Sequence, residues 1–321
     1  MKSVGIIGAG GYTGGELVRL LLHHPKVQIA YCYSRSQAGK AVSEIHTDLL
    51  GETSLRFTGK TDLKTDILFL CLPHGEAKTF LQQHKFSPAT QIIDLSNDFR
   101  LKNKSAGFVY GLPELNRAAI KKSKRIANPG CFATAIQLAL LPLAKNKLLK
   151  NELHISGITG STGAGATQTG TTHYTFRNNN LSVYKAFTHQ HLGEITESIS
   201  QLQPSFSSAI NFIPYRGNFT RGILTTVYTD FKGSLEEAYS IYKKYYNKEK
   251  FVFISDNNID LKQVVNTSKC LLYLEKHGNK LMIVSVIDNL LKGASGQAVQ
   301  NMNLMNGWPE DYGLKIKPSA Y

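Results

Sequence analysis

Apolar positions along the chain come as short unbroken runs in the first half and as alternating runs in the second. Val4-Gly5-Ile6-Ile7, Val27-Gln28-Ile29-Ala30-Tyr31-Cys32-Tyr33, Asp66-Ile67-Leu68-Phe69-Leu70-Cys71-Leu72 and Gln91-Ile92-Ile93-Asp94-Leu95 read as strands. Between the first two, Glu16-Leu17-Val18-Arg19-Leu20-Leu21-Leu22 has helical spacing, with Pro25 beyond its end. Ala135-Ile136-Gln137-Leu138-Ala139-Leu140-Leu141 reads as a buried helix. Later, 154–159 alternates like a strand, 223–231, 269–274 and 280–287 read as strands, 234–246 as a helix, and a last helix runs from Ala298 to about Met305. The first half is thus expected to be α/β with a parallel sheet, the second α+β with antiparallel strands.

The first strand is followed at once by Gly8-Ala9-Gly10-Gly11-Tyr12-Thr13-Gly14 and then by a helix. Strand, glycine turn and helix together make a dinucleotide cradle, in which bare backbone approaches a pyrophosphate at the helix N-terminus. The usual third glycine is Thr13, with Gly14 one place later, so the spacing is a variant. The second strand ends in Ser34-Arg35-Ser36, with Lys40 nearby, where an NAD site usually carries Asp or Glu. Hydroxyls and a guanidinium suit a 2′-phosphate, so NADP (NADPH) is the expected cofactor, against the reading of an exposed loop arginine. Ser96-Asn97-Asp98-Phe99-Arg100 follows the strand at 91–95, where an open parallel sheet collects ligands. Arg100 is there either a contact for an anionic substrate group or a surface arginine.

With 321 residues, 42% of them hydrophobic and 19% charged, the chain is sized for one large or two medium globular domains. No run approaches a membrane span and no leader is evident, so a cytoplasmic protein with no membrane partner is expected. The net charge of +14 raises nucleic acid as a partner. The densest basic runs, 121–125 and 243–248, look instead like solvated helix ends, and no nucleic-acid module is recognisable.

Four cysteines lie far apart, suggesting neither a zinc site nor a disulfide framework. One of them stands apart. In Asn128-Pro129-Gly130-Cys131-Phe132-Ala133-Thr134 the thiol follows a Pro-Gly break and precedes the apolar helix, at or near its N-terminus. A thiol with a pKa of about 8.5 is roughly 3% ionised at pH 7; lowering it to about 6.5 gives about a 25-fold gain in thiolate. A small buried residue at a helix start is the plainer alternative. Downstream, Gly160-Ser161-Thr162-Gly163-Ala164-Gly165-Ala166 is either a linker or a wall packed close to substrate. Thr188-His189-Gln190-His191 then precedes Glu194-Ile195, a helix. A metal site lacks a third ligand at recognisable spacing, although His173 is not far off. An acid/base histidine paired with Cys131 fits better, with no metal.

Gly10-Gly11-Tyr12-Thr13-Gly14, Asn128-Pro129-Gly130-Cys131, 286–298 (Val-Ile-Asp-Asn-Leu-Leu-Lys-Gly-Ala-Ser-Gly-Gln-Ala), Leu95-Ser96-Asn97-Asp98-Phe99-Arg100-Leu101 and Tyr110-Gly111-Leu112-Pro113-Glu114 carry a resemblance that runs essentially end to end. The chain resembles the N-acetyl-gamma-glutamyl-phosphate reductase family, in the aspartate-semialdehyde dehydrogenase superfamily. The resemblance implies a Rossmann NADP-binding domain over 1–130 and 298–321, interrupted by a catalytic and oligomerisation domain over 131–297 with a mainly antiparallel sheet. It implies reduction of N-acetyl-L-glutamyl 5-phosphate to the 5-semialdehyde, in arginine biosynthesis, by a homodimer or homotetramer. Cys131 is implied as nucleophile and His191 or His189 as acid/base, with a lean to His191. Gly8, Gly10, Gly11, Tyr12, Thr13, Gly14, Ser34, Arg35 and Asn289 would meet the cofactor, and Arg100, Glu114 and Arg221 the acyl-phosphate substrate. The family's His-Arg-His-Thr-Pro-Glu is His189-Gln190-His191-Leu192-Gly193-Glu194 here. Other readings are an N-succinyl substrate, aspartate-semialdehyde dehydrogenase, or a non-catalytic NADP sensor.

Overall fold

The computed structural model describes residues 1–319 in two compact units, the first made of 1–129 and 294–315, the second of 130–293 and 316–319. In the first unit, β1 (Lys2–Ile7), β2 (Val27–Tyr33), β3 (Phe57–Thr58), β4 (Ile67–Leu70), β5 (Gln91–Asp94), β6 (Val109–Tyr110) and β7 (Arg125–Ala127) form one parallel sheet in the order β3-β2-β1-β4-β5-β7-β6. The order reverses between β1 and β4, the switch point where the carboxyl ends of neighbouring strands diverge and leave room for a ligand. Ile6, Ile7, Leu68, Phe69 and Leu70 are fully buried, which explains why β1 and β4 read as unbroken apolar runs.

The helix Tyr12–Leu22 begins four residues earlier than its apolar spacing suggests, because glycines and polar residues form its first turn. The segment Tyr110–Glu114, a turn-rich link in the sequence, opens a helix at Pro113 that ends at Lys122, inside the basic run. A proline at the first helical position loses no hydrogen bond, since that N–H has no helical acceptor. The last helix also needs correction. It spans Ser295–Met305, so Ser295, Gly296 and Gln297 are helical rather than loop. It is buried on every side, including Gln297, Gln300, Asn301 and Asn303, so no polar face marks its start. Two of the buried amide nitrogens are well used: Asn301 Nδ2 donates to Gly111 O (2.8 Å) and Asn128 Oδ1 (3.1 Å), and Asn303 Nδ2 to Glu310 O and Tyr312 O (3.0 Å each).

In the second unit, β8 (Leu153–Thr159), β9 (Ser182–Val183), β10 (Ile210–Arg216), β11 (Ile223–Asp230), β12 (Val252–Ser255), β13 (Cys270–His277) and β14 (Lys280–Ile287) form a sheet in the order β12-β13-β14-β11-β8-β10-β9. Four of its pairings are antiparallel, while β8 with β10 and β12 with β13 are parallel. β10 and β12 have no counterpart in the sequence reading. Pro214 inside β10 reads as a breaker, and is accommodated because only two-residue β9 pairs on that strand's outer side.

The helix Cys131–Lys145 packs on this sheet, with the helices Leu192–Leu202 and Leu235–Tyr246 beside it. Pro142 lies inside it and has no N–H to offer Leu138 four residues back. Two buried tyrosines from the neighbouring helix supply donors there: Tyr246 donates to Leu138 O at 2.5 Å and Tyr242 to Ala139 O.

Candidate active site

The glycine turn is built for close approach. Gly8 has φ +80°, and a Cβ there would come within 2.4 Å of Cys71 O. Gly14 takes the packing role expected of the third glycine: a Cβ on it would lie 2.6 Å from Ala9 Cα and from Gly8 O. The helix that follows carries no side-chain cap and no acidic residue in its first turn, so an anion placed there meets no competing carboxylate. Gly10 and Thr13 are half-buried along this turn, and Tyr12 is exposed.

Beside the turn lies a cavity of about 510 Å³, lined by Gly8, Tyr33, Ser34, Arg35, Ser36 and Leu72 on one side and by the helix Glu76–Gln83 on the other. Arg35 donates from Nε to the Tyr33 hydroxyl at 2.8 Å, and that bond raises the pKa of an already permanent cation. The cavity therefore offers a guanidinium and two serine hydroxyls where a nucleotide's 2′-phosphate is expected.

Arg100, also in the first unit, is buried. It donates from Nε to Asn128 O (2.9 Å) and from Nη2 to Leu95 O (2.8 Å), so two of its N–H groups hold backbone in place. Asn128 is pinned at its other groups as well, donating from N to Asp94 O (2.7 Å) and from Nδ2 to Ala294 O (3.0 Å). Glu114 is buried in the first turn of its helix, where a carboxylate complements the helix dipole.

In the second unit, Cys131 is the first residue of its helix and is half-buried, with Gly130 as N-cap. Of the other cysteines, Cys32 and Cys71 have thiols that burial pushes up to about 12, and Cys270 is buried with Sγ 3.6 Å from Ser285 Oγ. Gly293 lies against Cys131: a Cβ on it would sit 2.8 Å from the Cys131 Cβ. The loop that delivers Gly293 is fixed by Asp288. Its carboxylate is fully buried and accepts from Arg221 Nε (3.0 Å) and Nη2 (3.2 Å), Asn266 N (2.7 Å), Leu290 N (2.8 Å) and Leu291 N (3.1 Å). Arg221, expected at the substrate, thus pairs with Asp288. Asn289, expected at the cofactor, spends its side chain within this unit: Oδ1 accepts from Gly222 N (2.7 Å) and Nδ2 donates to Thr162 Oγ1 (2.9 Å).

Both histidines are buried close to the cysteine helix, but their surroundings differ. His189 is enclosed by the rings of Phe132, Tyr184 and Phe212, with centroids 5.4–5.7 Å away. Its Nδ1 accepts from the His191 N–H at 3.2 Å, which puts the proton of the neutral ring on Nε2. Burial, then the charges of Lys185 and Arg216, push its pKa down to about 4. His191 instead has Nε2 3.9 Å from Glu194 Oε1. Glu194 is a hub that its sequence context did not reveal: Oε2 accepts from Gly130 N at 2.9 Å, and its backbone carbonyl accepts from Gln137 Nε2 at 3.0 Å. One carboxylate therefore ties the residue before Cys131 to His191. The closest sequence signal was its position three residues beyond His191.

Among the described residues no group of three or more His, Cys, Asp and Glu could hold a metal ion, and no helix is long and apolar enough to cross a membrane.

A parallel sheet with a glycine turn, and a mixed-sheet unit carrying a helix-start cysteine close to buried histidines, describe a dinucleotide-linked oxidoreductase. Comparison with known proteins agrees. Residues 3–123 match the model of the semialdehyde dehydrogenase NAD binding domain, and 131–289 that of the semialdehyde dehydrogenase dimerisation domain. Full-length relatives named N-acetyl-gamma-glutamyl-phosphate reductase occur in Christiangramia forsetii (58% identical over 321 residues), Azobacteroides pseudotrichonymphae (59% over 322) and Bacteroides thetaiotaomicron (56% over 322), each covering 100% of both chains. Among solved structures, aspartate semialdehyde dehydrogenase II from Vibrio cholerae, complexed with ASA, has a TM-score of 0.73 at 17% identity, covering 96% of this chain and 98% of that one. The Candida albicans enzyme with NADP has a TM-score of 0.70 at 12% identity, covering 95% and 98%. The chain belongs to the semialdehyde dehydrogenase family, in its N-acetyl-gamma-glutamyl-phosphate reductase branch.

Proposed function

We propose that this chain reduces N-acetyl-L-glutamyl 5-phosphate to N-acetyl-L-glutamate 5-semialdehyde, with NADPH as donor and release of phosphate, in arginine biosynthesis. The observation that carries the proposal is Cys131 at the first position of a buried helix, packed against Gly293 and tied through Gly130 and Glu194 to His191. The identity of 55–59% to reductases of that name over the full length supports the substrate class.

The Cys131 thiolate attacks the acyl carbon, and the carbon–oxygen bond to phosphate breaks, leaving a thioester on Sγ and inorganic phosphate. NADPH, when bound at the glycine turn, supplies the hydride that reduces this thioester. The resulting thiohemiacetal on Cys131 collapses to the aldehyde as an acid/base group removes its hydroxyl proton and the thiolate leaves. His191 is the group assigned that proton. His189 is held neutral far below working pH, with Nδ1 already accepting a hydrogen bond. Glu194 orients His191, as a third group orients the base in other nucleophile pairs.

In the first unit, Gly8, Gly10, Gly11, Tyr12, Thr13 and Gly14 cradle the pyrophosphate, and Ser34 and Arg35 take the 2′-phosphate. Arg100, Glu114 and Arg221 are assigned to the substrate, both arginines being held rigid by the bonds described above. Asn289 is assigned to the cofactor through the loop that its side-chain amide holds in place. The dinucleotide-binding domain is assigned to 1–130 and 298–321, the catalytic domain to 131–297, the assembly to a homodimer or homotetramer, and the location to the cytoplasm.

The test is phosphate-dependent reduction of NADP with N-acetyl-L-glutamate 5-semialdehyde. Turnover with that compound and none with aspartate semialdehyde supports the assignment. Preference for aspartate semialdehyde, or no turnover of any semialdehyde despite tight NADP binding, removes it.

A further inference from the structure

Arg216 closes β10 close to the buried histidines. Its guanidinium lies over the Tyr184 ring, 4.6 Å from the centroid, and its Nε is buried without a hydrogen-bond partner among the described residues. Tyr184, His189 and Arg177 lie within reach of its charge, and none of the three is a carboxylate. Arg177 lies directly behind it, only 7% exposed, donating from Nη1 to Arg216 O (2.8 Å) and from Nη2 to Thr171 O (3.1 Å) and Ser182 Oγ (3.2 Å). Its Nε is buried without a partner as well, and burial and the Arg216 charge both lower its pKa. Arg177 is buried and Arg216 half-buried, and two like charges this close with no ion-pair partner among the described residues cost stability unless an anion joins them. Tyr184 links this pair to the chemistry, because it also lies within electrostatic reach of Cys131.

We propose that Arg216, backed by Arg177, forms a subsite that receives a carboxylate from the non-reacting end of the substrate. This rests on the function proposed above. An N-acylglutamyl phosphate carries such a carboxylate on its α-carbon. An N-succinyl group would add a second on the acyl arm. A carboxylate matches the two-pronged donor geometry of a guanidinium.

The experiment is steady-state kinetics in the semialdehyde-oxidising direction for the wild type, Arg216→Gln and Arg216→Lys, with N-acetyl- and N-succinyl-L-glutamate 5-semialdehyde. Loss of charge-assisted hydrogen bonds should raise the KM of Arg216→Gln for the semialdehyde roughly 10- to 100-fold. The KM values for NADP and phosphate should stay unchanged, and Arg216→Lys should fall between. Equal losses with both compounds identify the α-carboxylate. A loss confined to the N-succinyl compound identifies the acyl carboxylate. An unchanged semialdehyde KM, or a rise confined to phosphate, overturns the subsite. If the wild type turns over neither semialdehyde, the proposed function fails by itself. Calorimetric binding of N-acetyl- and N-succinyl-L-glutamate then decides the subsite: weaker binding by Arg216→Gln, with NADP binding retained, supports it, and equal binding overturns it.

Discussion

His189 and His191 share a turn, yet an imidazole enclosed by aromatic rings and one set beside a carboxylate are different reagents. With a pKa near 4, His189 stays neutral at working pH, whereas the unfolded chain takes up that proton near pH 6.5. Between those values the unfolded state binds more protons, so this residue makes stability fall as the pH drops from about 6.5 toward 4. His189→Asn should flatten that acid-side slope in denaturant unfolding at pH 7 and pH 5 and should reduce kcat only slightly. His191→Asn should lower kcat by about 10²–10⁴-fold, the range for loss of an acid/base group. The reverse order of kcat effects would move the role to His189. At the cofactor, Arg35→Ala should raise the KM for NADPH by about 10- to 150-fold, since a charged hydrogen bond is worth roughly 1.5–3 kcal/mol. The KM for NADH should barely change; equal losses with both cofactors would contradict a 2′-phosphate site. Cys131, Arg35 and the glycine turn stand out in the sequence because the chemistry proposed for them depends on local sequence. Glu194, Asp288 and Arg216 were not, because their roles lie in contacts with groups such as Gly130, 64 residues away from Glu194.

Elements were legible where burial and periodicity coincide. β2 and β14 match their apolar patterns residue for residue, and the helix at 235–246 ends in its basic run. The helix Ser295–Met305 escaped in part because its buried surface includes the amides Gln297, Gln300, Asn301 and Asn303, two of which donate to backbone carbonyls, and no hydrophobic pattern registers them. Pro142 is a similar case, a breaker by sequence rule that lies inside an unbroken helix, with Tyr246 donating to the carbonyl of Leu138 that the proline leaves without its helical donor. Tyr246→Phe should strand Leu138 O and cost about 1–3 kcal/mol in chemical denaturation. In a Pro142→Ala background the restored N–H can bond Leu138 O, so the same substitution should cost clearly less. Equal costs in both backgrounds would show that the tyrosine stabilises by packing alone.

For the whole molecule, the sequence order led to a parallel sheet followed by a mainly antiparallel one, and the second sheet is that with two parallel pairings added, β8 with β10 and β12 with β13. The net charge of +14 fits a protein that gathers an acyl phosphate and a dinucleotide, both strongly anionic. Sedimentation should show a homodimer or homotetramer; a monomer at micromolar concentration would contradict that assembly. Everything the protein is proposed to do passes through Cys131, and intact-mass spectrometry tests it most directly. Wild type given the acyl phosphate without NADPH should gain one acyl group, mapped to Cys131, that disappears when NADPH is added. Cys131→Ala should gain none, while still binding NADPH through the glycine turn. A Cys131→Ala protein that still reduces the acyl phosphate, or a wild-type adduct on another cysteine, would falsify the covalent mechanism.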